Sequence, residues 1–157
     1  MFRLFQKEVQ LYAPVKGTCV PLEQVPDAMF AQKLLGDGVA FVFRGDTISA
    51  PCSGEVVMTA QTRHALGIRT ANKAEVMLHV GLDSVNLNGN GFSMLVHAGE
   101  RVKKGQPLIR LDRAVLEAAG IDLITPMVVT SKDYAVDVQA LGDADEHTAV
   151  LNIHKRS

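Results

Sequence analysis

Cysteine is scarce. Cys19 and Cys52 lie far apart, neither with a thiol neighbour, which excludes a disulfide framework and a Cys-based zinc site. Both read as reduced, buried thiols with no catalytic role. Charge of one sign is also lacking: 16 basic against 17 acidic residues leave a formal −1, too balanced to attract nucleic acid or an anionic membrane surface by a general field. No apolar run is long enough to span a bilayer, and the N-terminal "MFRLFQKEVQLYAPVKG" contains no continuous apolar stretch of signal-peptide length. With 47% hydrophobic and 21% charged residues, the expectation is a single globular, cytoplasmic domain over residues 1–157.

What the chain does have is punctuation. Gly, Pro, Asn and Asp recur at short intervals ("APVKG", "GDG", "RGD", "APCSG", "NGNG", "HAGE", "KKGQP"), separated by short runs rich in Val, Ile, Leu and Phe. That rhythm predicts an all-β domain of many short strands, a sandwich or distorted barrel. The strand candidates are "VAFVF", "TISAP", "GEVVMT", "LGIRT", "EVMLHVG", "FSMLVHAG", "PLIRLD", "MVVTS" and "AVLNIHK". Two stretches predict short helices instead: "VPDAMFAQKLLGDG", capped by Asp27 and stopped by Gly36, and "LDRAVLEAAGID", between Asp112 and Gly120. A faint echo links "APVKGTCVPL" with "APCSGEVVMT", each a turn leading into a strand.

The chemistry centres on two histidines. "HALGIRT" and "AEVMLHVG" are joined by the short polar "ANK" and read as a hairpin. With Ala71 and Asn72 as a two-residue connection, Thr70 lies opposite Lys73 and His64 opposite His79, their Cβ atoms about 4.5–5.5 Å apart. A three-residue connection spoils this pairing; Asn72 supplies the left-handed tolerance of a tight turn. Val76, Leu78 and Val80 form the core parity of the second strand, so His79 is expected to point outward with Met77 and Gly81. A single outward histidine is ordinarily a solvated side chain; an opposed pair gains little unless something anionic or metallic lies between. Two imidazoles are fewer than the three or four ligands of a zinc site, so a metal here would have to be shared with a partner's residues. A phosphoryl group suits them better: one imidazole acts as nucleophile near neutral pH while the other donates to the phosphoryl oxygens. No serine occupies a nucleophile elbow, and "NGNGF" lacks the ending of a phosphate loop. His97, His147 and His154 read as structural or solvated positions.

"TRHAL", "MLHVGLDSVNLNGNGF", "GERVKKGQPLIRLD" and "LITPMVV", with "APVKG", "VPDAMFAQKLLGDG" and "APCSGEV" upstream in the same order, resemble the glucose-type enzyme IIA of the bacterial phosphoenolpyruvate-dependent sugar phosphotransferase system. The resemblance covers nearly the whole chain from Ala13, leaving 1–12 as a short extension. It implies an antiparallel β-sandwich with Greek-key and jellyroll-like connections and one or two short helices. It also implies that His79 accepts a phosphoryl group from phospho-HPr, on Nε2 with Nδ1–H given to a backbone acceptor near Gly81, and passes it to a cysteine of an enzyme IIB domain. His64 becomes the supporting imidazole and Thr62 the residue that positions it. The family's docking surface maps to Asp27, Met29, Phe30, Leu34, Leu35, Met77, Asp83 and Val85, with the two aspartates meeting basic groups on HPr or IIB. Ala60 falls where relatives can carry a large aromatic, which predicts a shallower apolar rim. No cofactor is required; a zinc ion shared with a partner and the permeases and kinases regulated by some relatives complete the implied list. The competing class is a biotinyl- or lipoyl-type carrier or a regulatory binding module, since "GERVKKGQPLIRLD" also suits that sandwich; such a carrier would modify Lys73, whose setting "ANKAE" lacks the usual Met or Asp neighbour.

Overall fold

The structure, a computed structural model, describes residues 7–156. Fourteen strands alternate with turns: β1 (Glu8–Tyr12), β2 (Gly17–Pro21), β3 (Asp37–Phe43), β4 (Thr47–Ser49), β5 (Gly54–Thr59), β6 (Ala65–Arg69), β7 (Glu75–His79), β8 (Phe92–Met94), β9 (Arg101–Val102), β10 (Pro107–Leu111), β11 (Thr125–Val129), β12 (Tyr134–Val138), β13 (Gly142–Ala144) and β14 (Ala149–Lys155). Every pairing is antiparallel. One eight-stranded sheet runs β13-β2-β3-β11-β7-β6-β5-β9, and two three-stranded sheets run β1-β14-β12 and β4-β10-β8. The expected all-β antiparallel sandwich is what forms. Of the stretch 1–12, expected as an extension, residues 8–12 form β1, paired with β14 with one register irregularity between Leu11 and Tyr12, and residues 1–6 lie outside the described residues.

Both expected helices form where their caps predict. The Asp27 carboxylate accepts the Met29 N–H at 2.9 Å and opens α1 (Ala28–Ala31), while Asp112 accepts from Val115 ahead of α2 (Arg113–Ala118). The first helix ends before Gly36, because Lys33 already turns left-handed at φ 59°.

The internal echo has a structural counterpart. Tyr12 N–H donates to the Pro51 carbonyl and Ser49 N–H to the Pro14 carbonyl, each at 2.8 Å, so the two Ala-Pro turns bond to one another reciprocally. Each then enters the large sheet at a glycine with no room for a Cβ: one built on Gly17 would lie 2.2 Å from the Val42 carbonyl oxygen, and one on Gly54 2.3 Å from that of Arg69. The sheet orders match in the same way, with β1-β14-β12 answering β4-β10-β8 and β13-β2-β3-β11 answering β9-β5-β6-β7. β7, which carries His79, and β11 are therefore the two central strands.

Two apolar clusters flank the large sheet. The main core lies between it and the small sheets, built from Val39, Phe41, Leu66, Ile68, Val76, Leu78 and Met127 on one side and Leu11, Ile48, Leu108, Ile109, Leu151 and Ile153 on the other. The second cluster, Leu22, Val25, Phe30, Ala40, Leu82, Ile124 and Val128, sits on the opposite face and is covered by α1 and the chain around it. Cys19 and Cys52 are buried; desolvation pushes their thiols up to about 11 and about 12, which keeps them protonated and inert at neutral pH.

Candidate functional site

The pairing of β6 with β7 departs from the expected register by one residue. Ala65, not His64, lies opposite His79, and the connection takes three residues, Ala71 to Lys73. Hydrophobic patterning explains why. The expected register would have put Leu66 and Ile68 on the face of Met77 and Glu75; the observed one gathers Leu66, Ile68, Val76 and Leu78, all essentially fully buried, on the core face. Nor is Asn72 the left-handed residue of the turn. That is Lys73, at φ 68°. Asn72 is buried, its amide donating to the carbonyls of Lys7 and Ile153 and so tying the hairpin to the residue just before β1 and to β14.

His79 occupies the last position of β7, on the face opposite the core and half-buried beside the second cluster. Its Nδ1 lies 2.8 Å from the Gly81 carbonyl oxygen. A carbonyl only accepts, so Nδ1 carries the proton and neutral His79 presents a bare Nε2. Gly81 reaches back in this way at φ 77°, and a Cβ there would stand 3.0 Å from the Asp122 carbonyl oxygen, so both conformation and space favour glycine.

His64 still reaches His79 despite the slipped register. The two rings meet edge to face, centroids 4.8 Å apart and planes at 81°. His64 is not itself a strand residue: it ends the connection between β5 and β6, its carbonyl accepting from Val80 N–H at 2.7 Å. Its Nδ1 lies 2.7 Å from the Thr62 hydroxyl. The third wall is Phe30 of α1, whose ring centroid is 5.2 Å from that of His79 at a tilt of 59°.

Burial lowers the pKa of both histidines. For His64 the neighbouring His79 adds to the effect; for His79 the Gly81 carbonyl and the Asp27 carboxylate partly oppose it. Both imidazoles are therefore neutral at pH 7. Among the described residues no group of three or more His, Cys, Asp or Glu is placed to hold a metal ion, so His64 and His79 offer at most two ligands.

The residues expected to line a docking surface divide. Met29, Leu34 and Val85 are exposed at 47%, 60% and 49%. Leu35 and Met77 are half-buried against the second cluster, and Phe30, only 3% exposed, belongs to that cluster and packs on His79. Asp27 is half-buried and Asp83 exposed, the latter in a left-handed conformation. Ala60 is half-buried beside the turn that delivers His64. Sequence reasoning did not find the contact of Phe30 with His79; only the seating of α1 over β7 and β11 makes it. His97 and His147 are exposed beside Glu100 and Glu146, and His154 lies near Asp137 on β12, all outside this site.

Residues 9–135 match the family described as phosphoenolpyruvate-dependent sugar phosphotransferase system, EIIA 1. This chain belongs to that family. Among solved structures it is similar to glucose permease IIA from Mycoplasma capricolum, at 31% identity over 97% of this chain and 99% of that one, with a TM-score of 0.86. A looser likeness, TM-score 0.43 at 15% identity over 81% of this chain and 31% of the other, is to Csd3 of Helicobacter pylori. As an EIIA, the protein is a phosphotransferase component with a phosphocarrier role in sugar uptake, and the family works with HPr and EIIB partners in general. No helix of the described residues is long and apolar enough to cross a membrane.

Proposed function

We propose that His79 takes the phosphoryl group of phospho-HPr on Nε2 and delivers it to a cysteine thiolate of an EIIB domain in the cytoplasm. The observation that carries this reading is the unequal partnering of the two imidazoles. Gly81 holds the proton of His79 on Nδ1 and leaves the Nε2 lone pair free to attack phosphorus, as the bond from phosphorus to the donor nitrogen of HPr breaks. On the onward step the Cys sulfur attacks, the Nε2–P bond breaks, and Nε2 regains its lone pair.

His64 takes the complementary tautomer. The Thr62 hydroxyl donates to Nδ1, which leaves the proton on Nε2 as a donor to the phosphoryl oxygens. Such a donor counts most when charge builds on those oxygens in the transition state, and the burial of His64 strengthens it. Met29, Leu34 and Val85 provide the apolar contact for either partner, and Asp27 and Asp83 steer basic groups toward it.

The test is intact-mass spectrometry after mixing the protein with phosphoenolpyruvate, enzyme I and HPr, with an acid-treated aliquot in parallel. One added phosphoryl mass, lost in acid and absent from His79→Gln, is the expected result. An unmodified mass with the fold intact, or modification that survives His79→Gln, sinks the assignment.

A further inference from the structure

The register poses a problem that the histidine pair has to solve. Alternation counted back from Ile68 and Leu66, both buried in the main core, sends the next residue of that parity, His64, into the same core and away from His79. The ladder itself does not slip to rescue it, because the His64 carbonyl still bonds to Val80 N–H in the register of the strand. Something between Thr59 and Ala65 must break the alternation.

Resting on the phosphocarrier reading above, we propose that Arg63 is the positioning residue for His64, and that it acts through its backbone. Ala60 and Ala65 close the β5–β6 connection by the Ala60 N–H to Ala65 carbonyl bond, and inside it Arg63 N–H bonds to the Ala60 carbonyl at 2.9 Å. Arg63 then adopts φ 62°, the only positive φ between Thr59 and Arg69. A single left-handed residue after such a turn redirects the chain entering the next strand. Here it frees His64 from the alternation of β6, so that the ring meets His79 and Nδ1 meets Thr62, the residue on the other side of Arg63.

Arginine is not a residue this conformation favours. Glycine and asparagine adopt it readily, alanine less so, and β-branched residues least. An exposed arginine held there, its side chain running past Gly89, means the surrounding turn imposes the geometry. The side-chain charge is not part of the proposal.

The experiment is a substitution series at this position, Arg63→Gly, Asn, Lys, Ala and Val, read in two ways. The first is phosphoryl transfer onward from the phosphorylated protein to an EIIB domain. The second is nitrogen and proton NMR of the unphosphorylated protein, reporting the His64 Nδ1 environment and the through-space contact of the two imidazoles. Arg63→Gly, Asn and Lys should stay within about twofold of the parent in transfer and keep both NMR signatures, while Arg63→Val should lose about tenfold and both signatures. Should Arg63→Val fail to fold, Arg63→Ala is expected to fall between the groups. Loss in Gly and Asn with retention in Lys would show that the cationic side chain matters and overturn the proposal. So would a Val or Ala variant indistinguishable from Asn. If the parent takes up no phosphoryl group, the phosphocarrier reading fails by itself, and the NMR arm still decides whether Arg63 places His64.

Discussion

Phe30 is a helix residue that serves a strand residue: its ring, 3% exposed, stands 5.2 Å from the His79 imidazole and closes the side of the site that Gly81 and His64 leave open. α1 has only four residues, too few for a stable helix alone. Its seating depends on the second cluster beneath it, so the wall beside His79 and the packing of Leu22, Val25, Ile124 and Val128 stand or fall together.

Phe30→Ala should therefore destabilise the protein by about 3–5 kcal/mol, the usual range for an emptied aromatic core position, and Phe30→Leu by much less. Urea unfolding measures the first effect. Phosphorylation rate compared between the Leu variant and the parent measures the second, a loss of ring restraint on His79; an unchanged rate in a folded Phe30→Ala would show the wall to be purely structural.

His64→Gln should still accept a phosphoryl group but pass it on about 10²-fold more slowly, since a lost donor costs most where charge develops. Quenched-flow transfer to an EIIB domain separates the two half-reactions. Equal slowing of both would mean the division of roles between the imidazoles is misassigned.

Thr62→Val removes the hydroxyl that, in the proposed mechanism, selects the His64 tautomer while keeping a β-branched shape. Onward transfer should fall by about tenfold, stability by about 1 kcal/mol, and Thr62→Ser should restore both. The nitrogen spectrum of His64 gives an independent view: the Val variant should show mixed tautomers where the parent shows one.

The pH dependence follows from the directions of the two shifts. Both histidines have folded pKa values below the ordinary 6.5, so the unfolded chain binds protons that the folded one refuses. Their contribution to stability is complete above about pH 6.5 and is lost as pH falls toward the folded values. Chemical denaturation at pH 7.5 and pH 5 should show a larger acid-side loss in the parent than in a His64→Gln, His79→Gln double variant, and a parent that loses no more than the double variant contradicts the shifts.

Asp27→Asn keeps a side chain able to cap α1 but removes the charge that favours protonated His79. The His79 pKa should move further down, readable by NMR titration, with little change in thermal stability. Association with HPr should slow and lose part of its salt dependence; an unaltered His79 titration would show that the carboxylate does not act on the ring.

Much of the fold was legible because it rests on local chemistry. Gly and Pro punctuation marked the turns, aspartates marked both helix starts, and the Ala-Pro echo anticipated two turns that bond to each other. The strands that escaped, β1, β2, β9, β12 and β13, are short or carry polar residues on one face, and pairing with a neighbour rather than their own composition makes them strands.

The site was legible in its residues and illegible in its geometry. The presence of His64, Thr62, His79 and Gly81 near one hairpin could be read directly from the chain, as could the core parity of Val76, Leu78 and Val80. The expected direct opposition of the two histidines was the wrong route to the right neighbours, because it ignored that Leu66 and Ile68 must share a face with Leu78 and Val76. Alternation is a property of one strand and sequence carries it. Register is settled by which pairing buries the most apolar surface across two strands at once. On the proposal above, whether His64 then follows its strand or leaves it turns on the backbone angle of Arg63, set once β5 and β6 pair and the Ala60 N–H to Ala65 carbonyl bond closes the turn between them, and that only the tertiary structure decides.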